Sequence, residues 1–471
     1  MESSYNIIWV VGDALQTRNL GCYGYEKDTS PFIDSLTGRG VLFGDCFACS
    51  NHTDSSITSM MTGRFPVSHG IMHHGRRVGS DELRKLKSSG SVFLAERLRD
   101  NGFSTIGFDW LGRWHKRGYQ HFSESWPESH YKEGLQRIVD NLPEKKGKDV
   151  KRYFHRKGFA LPARSGEHYT DCAIDYIKEH KDNPFYVMLH NWDTHTPFDT
   201  LPKKYEEMFV PEGRGETVEE MLEKIGDPEW RRIVRDYHLY GVEYVNQVQG
   251  YYDAGVRYFD DQIQNLYQAL EDEGLGDNTI VVITGDHGDN GLMNGVFVGH
   301  FGLYDPVIHV PLIMTGPGLP KGRNIKGFVQ HVDVTPTILG LLDIKYDEGS
   351  FQGHDLTSHL SKEKIEIRDS TLTFDGAAKF RVAYRDKTHK LIYSPKKEDP
   401  IIPFDTVGSR WQKELYDLKK DPGEENNLVD SNPDLASEME EKLLSRLKEL
   451  GFDASEEKIR LRDCTRRIRG L

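Results

Sequence analysis

The stretch Thr279–Gly288, TIVVITGDHG, decides the fold. Its first six residues are β-branched without polar alternation, which reads as a strand buried on both faces. The run stops at Gly285, and a carboxylate and an imidazole follow at once. Asn6–Asp13, NIIWVVGD, has the same shape. Two buried strands that each end in Gly-Asp predict a parallel sheet with polar groups at its carboxyl-terminal edge. That is the edge where open α/β sheets bind ligands.

Working outward, Gly40–Ala48, Phe103–Phe108, Pro184–His190 and His309–Thr315 read as further strands. Thr29–Arg39, Asp54–Thr62, Val92–Asn101, Tyr169–His180, Gly250–Glu273 and Asp333–Leu342 read as helices. The alternation predicts the α/β class, with a large mixed, mostly parallel sheet flanked by helices. Past residue 365 the pattern changes. Alternating runs at Arg381–Tyr384, Lys390–Tyr393 and Leu415–Leu418, then an amphipathic helix at 432–449, predict a smaller C-terminal α+β subdomain. The expected units are 1–365 and 366–471, with polar excursions at about 111–165 and 199–240.

Composition narrows the function classes. Across 471 residues, 61 Lys and Arg against 74 Asp and Glu leave −13, with no long basic tract. No nucleic-acid partner is expected from that balance. A small anionic ligand needs only a local cluster of positive charge. No apolar run approaches 18 residues, so no membrane span is expected. Ile7–Val11 is too short for an export signal and lacks a basic leader, so a cytoplasmic location is expected. The five cysteines (22, 46, 49, 172 and 464) are too few and too unpaired for a disulfide scaffold. Cys46 and Cys49 form a CxxC without a second pair and read as buried thiols.

Asp13, Asp286 and His287 would meet beyond the two Gly-Asp strands. That O/N set suits Mg²⁺, Mn²⁺, Ca²⁺ or Zn²⁺. The bland alternative is a turn cap at Asp13 and a solvated loop at 286–287. In Ser50–Arg64, SNHTDSSITSMMTGR, hydroxyls cluster where a helix begins. A helix N-terminus favours an anion, but ordinary capping by Thr53 or Asp54 explains the same residues.

These residues, taken in order, resemble the sulfatase family of the alkaline-phosphatase superfamily. NIIWVVGDALQTRNLGCYG (Asn6–Gly24) looks like the family's first metal strand and GCYG turn. TSPFIDSLTGRGVLF (Thr29–Phe43), TGRFPVSHGI (Thr62–Ile71) and FYVMLHNWDTHTPF (Phe185–Phe198) follow. Tyr252–Gly288, GHFGLYDPVIHVPLIMTGPG (Gly299–Gly318), HVDVTPTILGLL (His331–Leu342) and ELYDLKKDPGEENNL (Glu414–Leu428) complete the series.

Two departures bear on the chemistry the resemblance implies. Family sulfatases carry Cys or Ser in C/S-x-P-x-R, ten residues before the TG of TGR counted inclusively, and convert it to formylglycine. Here that position is Thr53, within TDSSI, with Ile57 where Arg would stand and Cys49 four residues too early. No formylglycine is expected. Thr at this position is similar to the superfamily's phosphodiesterases and phosphoglycerol or phosphoethanolamine transferases. The usual Asp-Asp of the first strand is Asp13-Ala14.

The resemblance therefore implies one divalent ion, Mn²⁺ or Mg²⁺ ahead of Ca²⁺ or Zn²⁺, held by Asp13, Thr53, Asp286 and His287. It implies Thr53 as nucleophile, with His195 and His300 as catalytic groups. Arg113 and His115, in a GRWH similar to the family's GKWH at shifted spacing, and His52 are the expected substrate-binding residues. His331 is expected to orient a loop, and His73–Arg77 to guide an anion or lie on a solvated face. The expected activity is hydrolysis of a small phosphate ester, as phosphodiesterase or phosphatase, through a covalent Thr53 intermediate. A sulfuric-ester or phosphonate-monoester hydrolase is the second reading, and a non-catalytic binding module the third.

Overall fold

The computed structural model describes residues 5–123, 166–198, 201–225, 228–292, 298–376, 380–394 and 413–452. Strands β1 (Asn6–Gly12), β2 (Gly40–Phe47), β3 (Ser104–Phe108), β4 (His121–Phe122), β5 (Phe185–Asn191), β6 (Thr279–Gly285), β7 (Leu312–Thr315) and β8 (Arg323–Gln330) form one sheet. Its order is β4-β3-β5-β1-β6-β7-β2-β8. All pairings are parallel except those of β7, which runs against both β6 and β2. The sheet is therefore mixed and mostly parallel, as expected.

The continuous apolar character of β1 and β6 has a direct cause. Ile8, Val10, Val281 and Ile283 face a core shared with the helices Gly166–His180 and Val248–Asp272. Ile7, Trp9, Val11, Ile280 and Val282 face the opposite core, beside Ile57, Met60 and Met61 of the helix Thr53–Thr62. Alternate residues point to opposite faces, and both faces are covered, so neither can be polar.

Register then places the chemistry. Gly12 pairs with Gly285 across β1 and β6, and with Asn191 across β1 and β5. Asp13 and Asp286 consequently leave the sheet side by side. A side chain at Gly285 would collide with the Leu15 carbonyl oxygen, so only glycine lets these two strand ends close.

A second sheet, in the order β12-β11-β10-β9, is antiparallel throughout: β9 (Thr371–Asp375), β10 (Arg381–Arg385), β11 (His389–Tyr393) and β12 (Lys413–Asp417). The helix Pro433–Glu449 covers it through Ala436, Met439, Leu443 and Leu447. This sheet reaches the larger one at the segment that leads into Thr53. The Phe374 N–H donates to the Cys49 carbonyl, the Asn51 N–H to the Phe374 carbonyl, and the Thr373 hydroxyl to the Ala48 carbonyl.

Several elements differ from expectation. The predicted strand His309–Thr315 begins only at Leu312, after a short helix Asp305–Ile308 opened by Pro306. Pro311 supplies no N–H to a ladder. Three strands escape sequence reading, β4, β8 and β9. The outer half of β8, an edge strand, alternates exposed and buried residues and carries Arg323 and Lys326. The helix expected at Thr29–Arg39 is confined to Pro31–Leu36, with Asp260 accepting the N–H groups of Phe32 and Ile33. The excursion at 199–240 holds the helices Lys203–Phe209, Val218–Glu223 and Pro228–Ile233. Most of the excursion at 111–165 lies outside the described residues. Cys46 and Cys49 are buried free thiols. No helix among the described residues is long and apolar enough to cross a membrane.

Candidate active site

Asp13, Asp286 and His287 meet at the carboxyl-terminal edge, with one ligand atom from each within 4.8 Å of the others. The cause lies in the strand ends. Ala14 takes a left-handed conformation (φ 63°), which turns its N–H toward Asp286 Oδ1 at 3.0 Å. The His287 N–H donates to the same oxygen at 2.8 Å. Asp286 Oδ2 is left 3.3 Å from His287 Nε2, and Asp13 Oδ1 lies 3.8 Å from that nitrogen.

His287 Nδ1 lies 2.9 Å from the Gly288 carbonyl oxygen. A carbonyl only accepts, so Nδ1 carries a proton and Nε2 is the nitrogen that faces the carboxylates. Thr53 Oγ1 completes the group, 3.2 Å from the same Nε2.

These residues fit a divalent cation. Asp13 Oδ1 and Asp286 Oδ2 are buried without a hydrogen-bond partner among the described residues. Buried carboxylate oxygens left so are costly unless a cation meets them. Burial alone would raise the Asp13 pKa, but the imidazoles of His195, His190 and His287 outweigh it and hold it below the ordinary range. Burial raises Asp286, and the neighbouring Asp13 adds to that.

The two expected catalytic histidines converge here. His300 stacks on His287 with ring centroids 4.2 Å apart, and its Nδ1 donates to the Asn51 carbonyl at 2.6 Å. His195 lies 5.7 Å from His300 and 6.3 Å from His287, and its Nδ1 donates to the Thr196 carbonyl. Both rings thus have Nδ1 protonated, and Nε2 carries the lone pair when the ring is neutral. Burial pushes both pKa values down and favours that neutral form. Gly255 of the long helix fixes the approach, because a side chain there would strike the Asp193 carbonyl at the start of the turn that carries His195.

His52 does not cap the helix that follows. Its ring meets His300 edge-on at 4.9 Å and lies parallel to His74 at 6.1 Å. Neither of its nitrogens has a hydrogen-bond partner among the described residues.

Arg113 and His115 are engaged elsewhere than expected. The Arg113 guanidinium donates to the carbonyls of Gly75 and Val78 and lies over Trp114. His115 Nε2 lies 3.0 Å from Asp54 Oδ1. Asp54 does not cap the helix either: its Oδ2 accepts the Gly75 N–H at 2.6 Å and faces His74 Nδ1 at 3.0 Å. His331 bridges Ser56 Oγ and the Gly285 carbonyl, in keeping with an orienting role.

Sequence reasoning missed a buried pair behind Asp13. His190 Nε2 lies 3.4 Å from Asp13 Oδ2, and its Nδ1 lies 3.0 Å from Asp109 Oδ1. Burial opposes charge on His190, but Asp109 and Asp13 raise its pKa well above the usual value. The available signal was a histidine ending an otherwise apolar central strand. Trp110 and Trp192 line the same side, 4.9 Å apart, with Trp192 packed on His195 at 4.3 Å.

The sulfatase family model matches residues 5–344. The chain belongs to the sulfatase family. A second model, N-sulphoglucosamine sulphohydrolase, C-terminal, matches residues 294–452 of this sulfatase-family chain. An ulvan-active sulfatase of Formosa agariphila is 25% identical over 468 residues, covering 95% of this chain and 81% of the relative. An N-acetylgalactosamine-6-O-sulfatase of Bacteroides thetaiotaomicron is 21% identical, covering 93% and 92%. The fold matches the crystal structure of a phosphonate monoester hydrolase of Agrobacterium radiobacter, with TM-score 0.70 and 20% identity over 95% of this chain and 96% of that one. It also matches a protein in complex with its substrate D-glucosamine-2-N,6-O-disulfate, with TM-score 0.70 and 19% identity over 96% and 100%. The sulfatase-family chain is accordingly an ester hydrolase with a site suited to a divalent metal.

Proposed function

We propose that this enzyme hydrolyses a phosphate ester through a covalent phospho-threonine at Thr53. The observation that carries the reading is the placement of the Thr53 hydroxyl against His287 Nε2, at the start of a helix and beside the Asp13–Asp286 pair. Cys49, the nearby thiol, is buried and its pKa is pushed up to about 12, so it is no rival nucleophile.

Asp13, Asp286, His287 and Thr53 would hold the metal, with Mn²⁺ or Mg²⁺ the expected ion. When bound, such an ion acidifies a hydroxyl and offsets negative charge on an ester oxygen. The helix N-terminus that Thr53 opens favours the oxyanion form of its side chain. The Thr53 hydroxyl proton passes to His300 Nε2 as the Thr53 oxygen forms a bond to phosphorus, the bond from phosphorus to the alcohol oxygen breaks, and that oxygen takes the proton from His300 as the alcohol leaves. Water then attacks phosphorus and its proton passes to His300 Nε2; the Thr53–phosphorus bond breaks, the Thr53 oxygen takes that proton to regenerate the hydroxyl, and phosphate, or a phosphate monoester from a diester, is released. His195 Nε2 is the second proton acceptor facing the site.

The sulfatase relatives favour a second reading, hydrolysis of a sulfuric ester by the same threonine. The phosphonate monoester hydrolase shares the fold and keeps that substrate class in the comparison. One panel separates the three: para-nitrophenyl phosphate, bis(para-nitrophenyl) phosphate, para-nitrophenyl phenylphosphonate and para-nitrophenyl sulfate, each with Mn²⁺, Mg²⁺, Ca²⁺ or Zn²⁺. Turnover of a phosphate ester is the expected result. Turnover of the sulfate alone would sink the leading reading.

A further inference from the structure

The pocket's assigned imidazoles leave one electrostatic need unmet. An anionic ester requires a proton donor or a cation at its non-bridging oxygens. His195 and His300 have Nδ1 committed to carbonyls, so in the neutral ring Nε2 accepts rather than donates. Ile57, at the position where the resemblance expects Arg, is buried in the apolar core.

His74 is built differently. Its Nδ1 faces a carboxylate rather than a carbonyl, 3.0 Å from Asp54 Oδ2. Asp54 is buried, and two further contacts lock it: the Gly75 N–H and His115 Nε2. The His74 side chain is 32% exposed while that of Asp54 is 3% exposed, so the cation side of the pair opens outward. The ring lies parallel to His52 and edge-on to Trp110 at 5.8 Å. His52 in turn contacts His300, and His300 contacts His287. The four rings form a continuous series from Asp54 to the candidate metal ligands.

We propose that His74, held by Asp54, is the cationic hydrogen-bond donor that binds a non-bridging oxygen of the anionic ester through Nε2. Asp54 is the positioning residue that orients and charges it. Burial disfavours charge on His74 and Arg77 opposes it, but the Asp54 carboxylate at hydrogen-bond distance outweighs both; the net shift is upward. Among the described residues, further titratable neighbours are His52, His300 and His73, the last paired with Glu82. The proposal rests on ester hydrolysis by this site and not on whether phosphorus or sulfur is attacked.

The test uses the full chain and inorganic sulfate, which does not titrate near neutrality. Sulfate binding is read by calorimetry and by thermal protection. The wild type is expected to bind sulfate at about pH 6 and to lose affinity toward about pH 9 as the imidazolium deprotonates. His74→Gln is expected to bind sulfate at least about tenfold more weakly at pH 6, the scale of one charge-assisted hydrogen bond. His74→Lys is expected to restore binding and carry it to higher pH. Asp54→Asn is expected to move the wild-type limb to lower pH, which a merely structural loss would not do. With whichever aryl ester the wild type cleaves, His74→Gln should raise KM more than it lowers kcat. Sulfate affinity that is absent in the wild type, flat from pH 6 to 9, or unchanged in His74→Gln overturns the proposal. Failure of phosphate-ester turnover alone leaves these binding outcomes intact and counts only against the leading reaction. Where His74→Gln does not fold, the wild-type pH profile and His74→Lys decide.

Discussion

Thr53 Oγ1 sits 3.2 Å from His287 Nε2, and the sequence separation of 234 residues between them is closed by the sheet register. The contact joins the residue that opens a helix to the residue that leaves a central strand. It makes the proposed nucleophile and the metal-ligand candidate a single geometric unit. Thr53→Ala is expected to lower kcat/KM by about a thousandfold or more, the scale seen when a nucleophile is removed. Thr53→Ser, which keeps the hydroxyl, should retain measurable turnover. Wild-type rates in Thr53→Ala would remove Thr53 from the mechanism.

Divalent metal should stabilise the fold as well as support activity. Binding to the folded state alone adds about 2.7 kcal/mol at a hundredfold excess over Kd. The melting temperature in Mn²⁺ or Mg²⁺ should therefore exceed that in chelator. Asp286→Asn should lose this increment, because its remaining oxygen is the one taken by the Ala14 and His287 N–H groups. In chelator the same variant should melt no lower than the wild type, since it removes a like charge beside Asp13. A variant that gains as much from metal as the wild type would count against Asp286 as a ligand.

Asp260 gives stability a pH dependence. It receives two backbone N–H groups at the start of the helix Pro31–Leu36, yet burial raises its pKa from 3.8 to about 7. The protonated form is favoured in the folded chain. Its contribution is complete below about pH 4, declines as pH rises toward 7, and is gone above that. Asp260→Asn should flatten this decline by a few kcal/mol at most, at about 1.4 kcal/mol per pKa unit. Urea denaturation at several pH values measures the slope; an unchanged slope in the variant would refute the assignment.

Lys390 should contribute strongly to the stability of the fold. It is fully buried, 2.5 Å from Asp305 Oδ1 and 2.6 Å from Glu424 Oε1. Lys390→Met leaves the buried Glu424 without this cation while Asp305 keeps its pair with Arg385, a loss of about 3–5 kcal/mol. Lys390 Nζ also donates to the Leu303 carbonyl, three residues beyond His300. Refoldable Lys390→Met should therefore show reduced kcat alongside its lower denaturation midpoint. A midpoint equal to the wild type's would contradict the buried pair.

Much of this was legible because burial on both faces leaves an unambiguous trace. β1 and β6 had to be central strands, and their Gly-Asp endings had to share an edge. Thr53 was legible from its spacing to Thr62-Gly63-Arg64. The direction of β7 was not, because Pro306 and Pro311 break the local pattern without saying how the chain re-enters. The pairings of Asp54 with His74 and of His190 with Asp109 were equally hidden. Each joins residues from separate elements, and no local periodicity encodes such a meeting. Arg113 shows the converse: a motif-like position whose guanidinium serves loop carbonyls instead.

The strand β9 lies 325 residues from the segment it grips at Ala48, counted from Thr373. The approach to Thr53 is therefore moored by a strand that follows every described strand of the large sheet in chain order. The hydrogen bonds at Ala48, Cys49 and Asn51 tie the candidate nucleophile's position to the second sheet. Loss of β9 would leave all eight strands of the large sheet in place and still free the segment that sets Thr53.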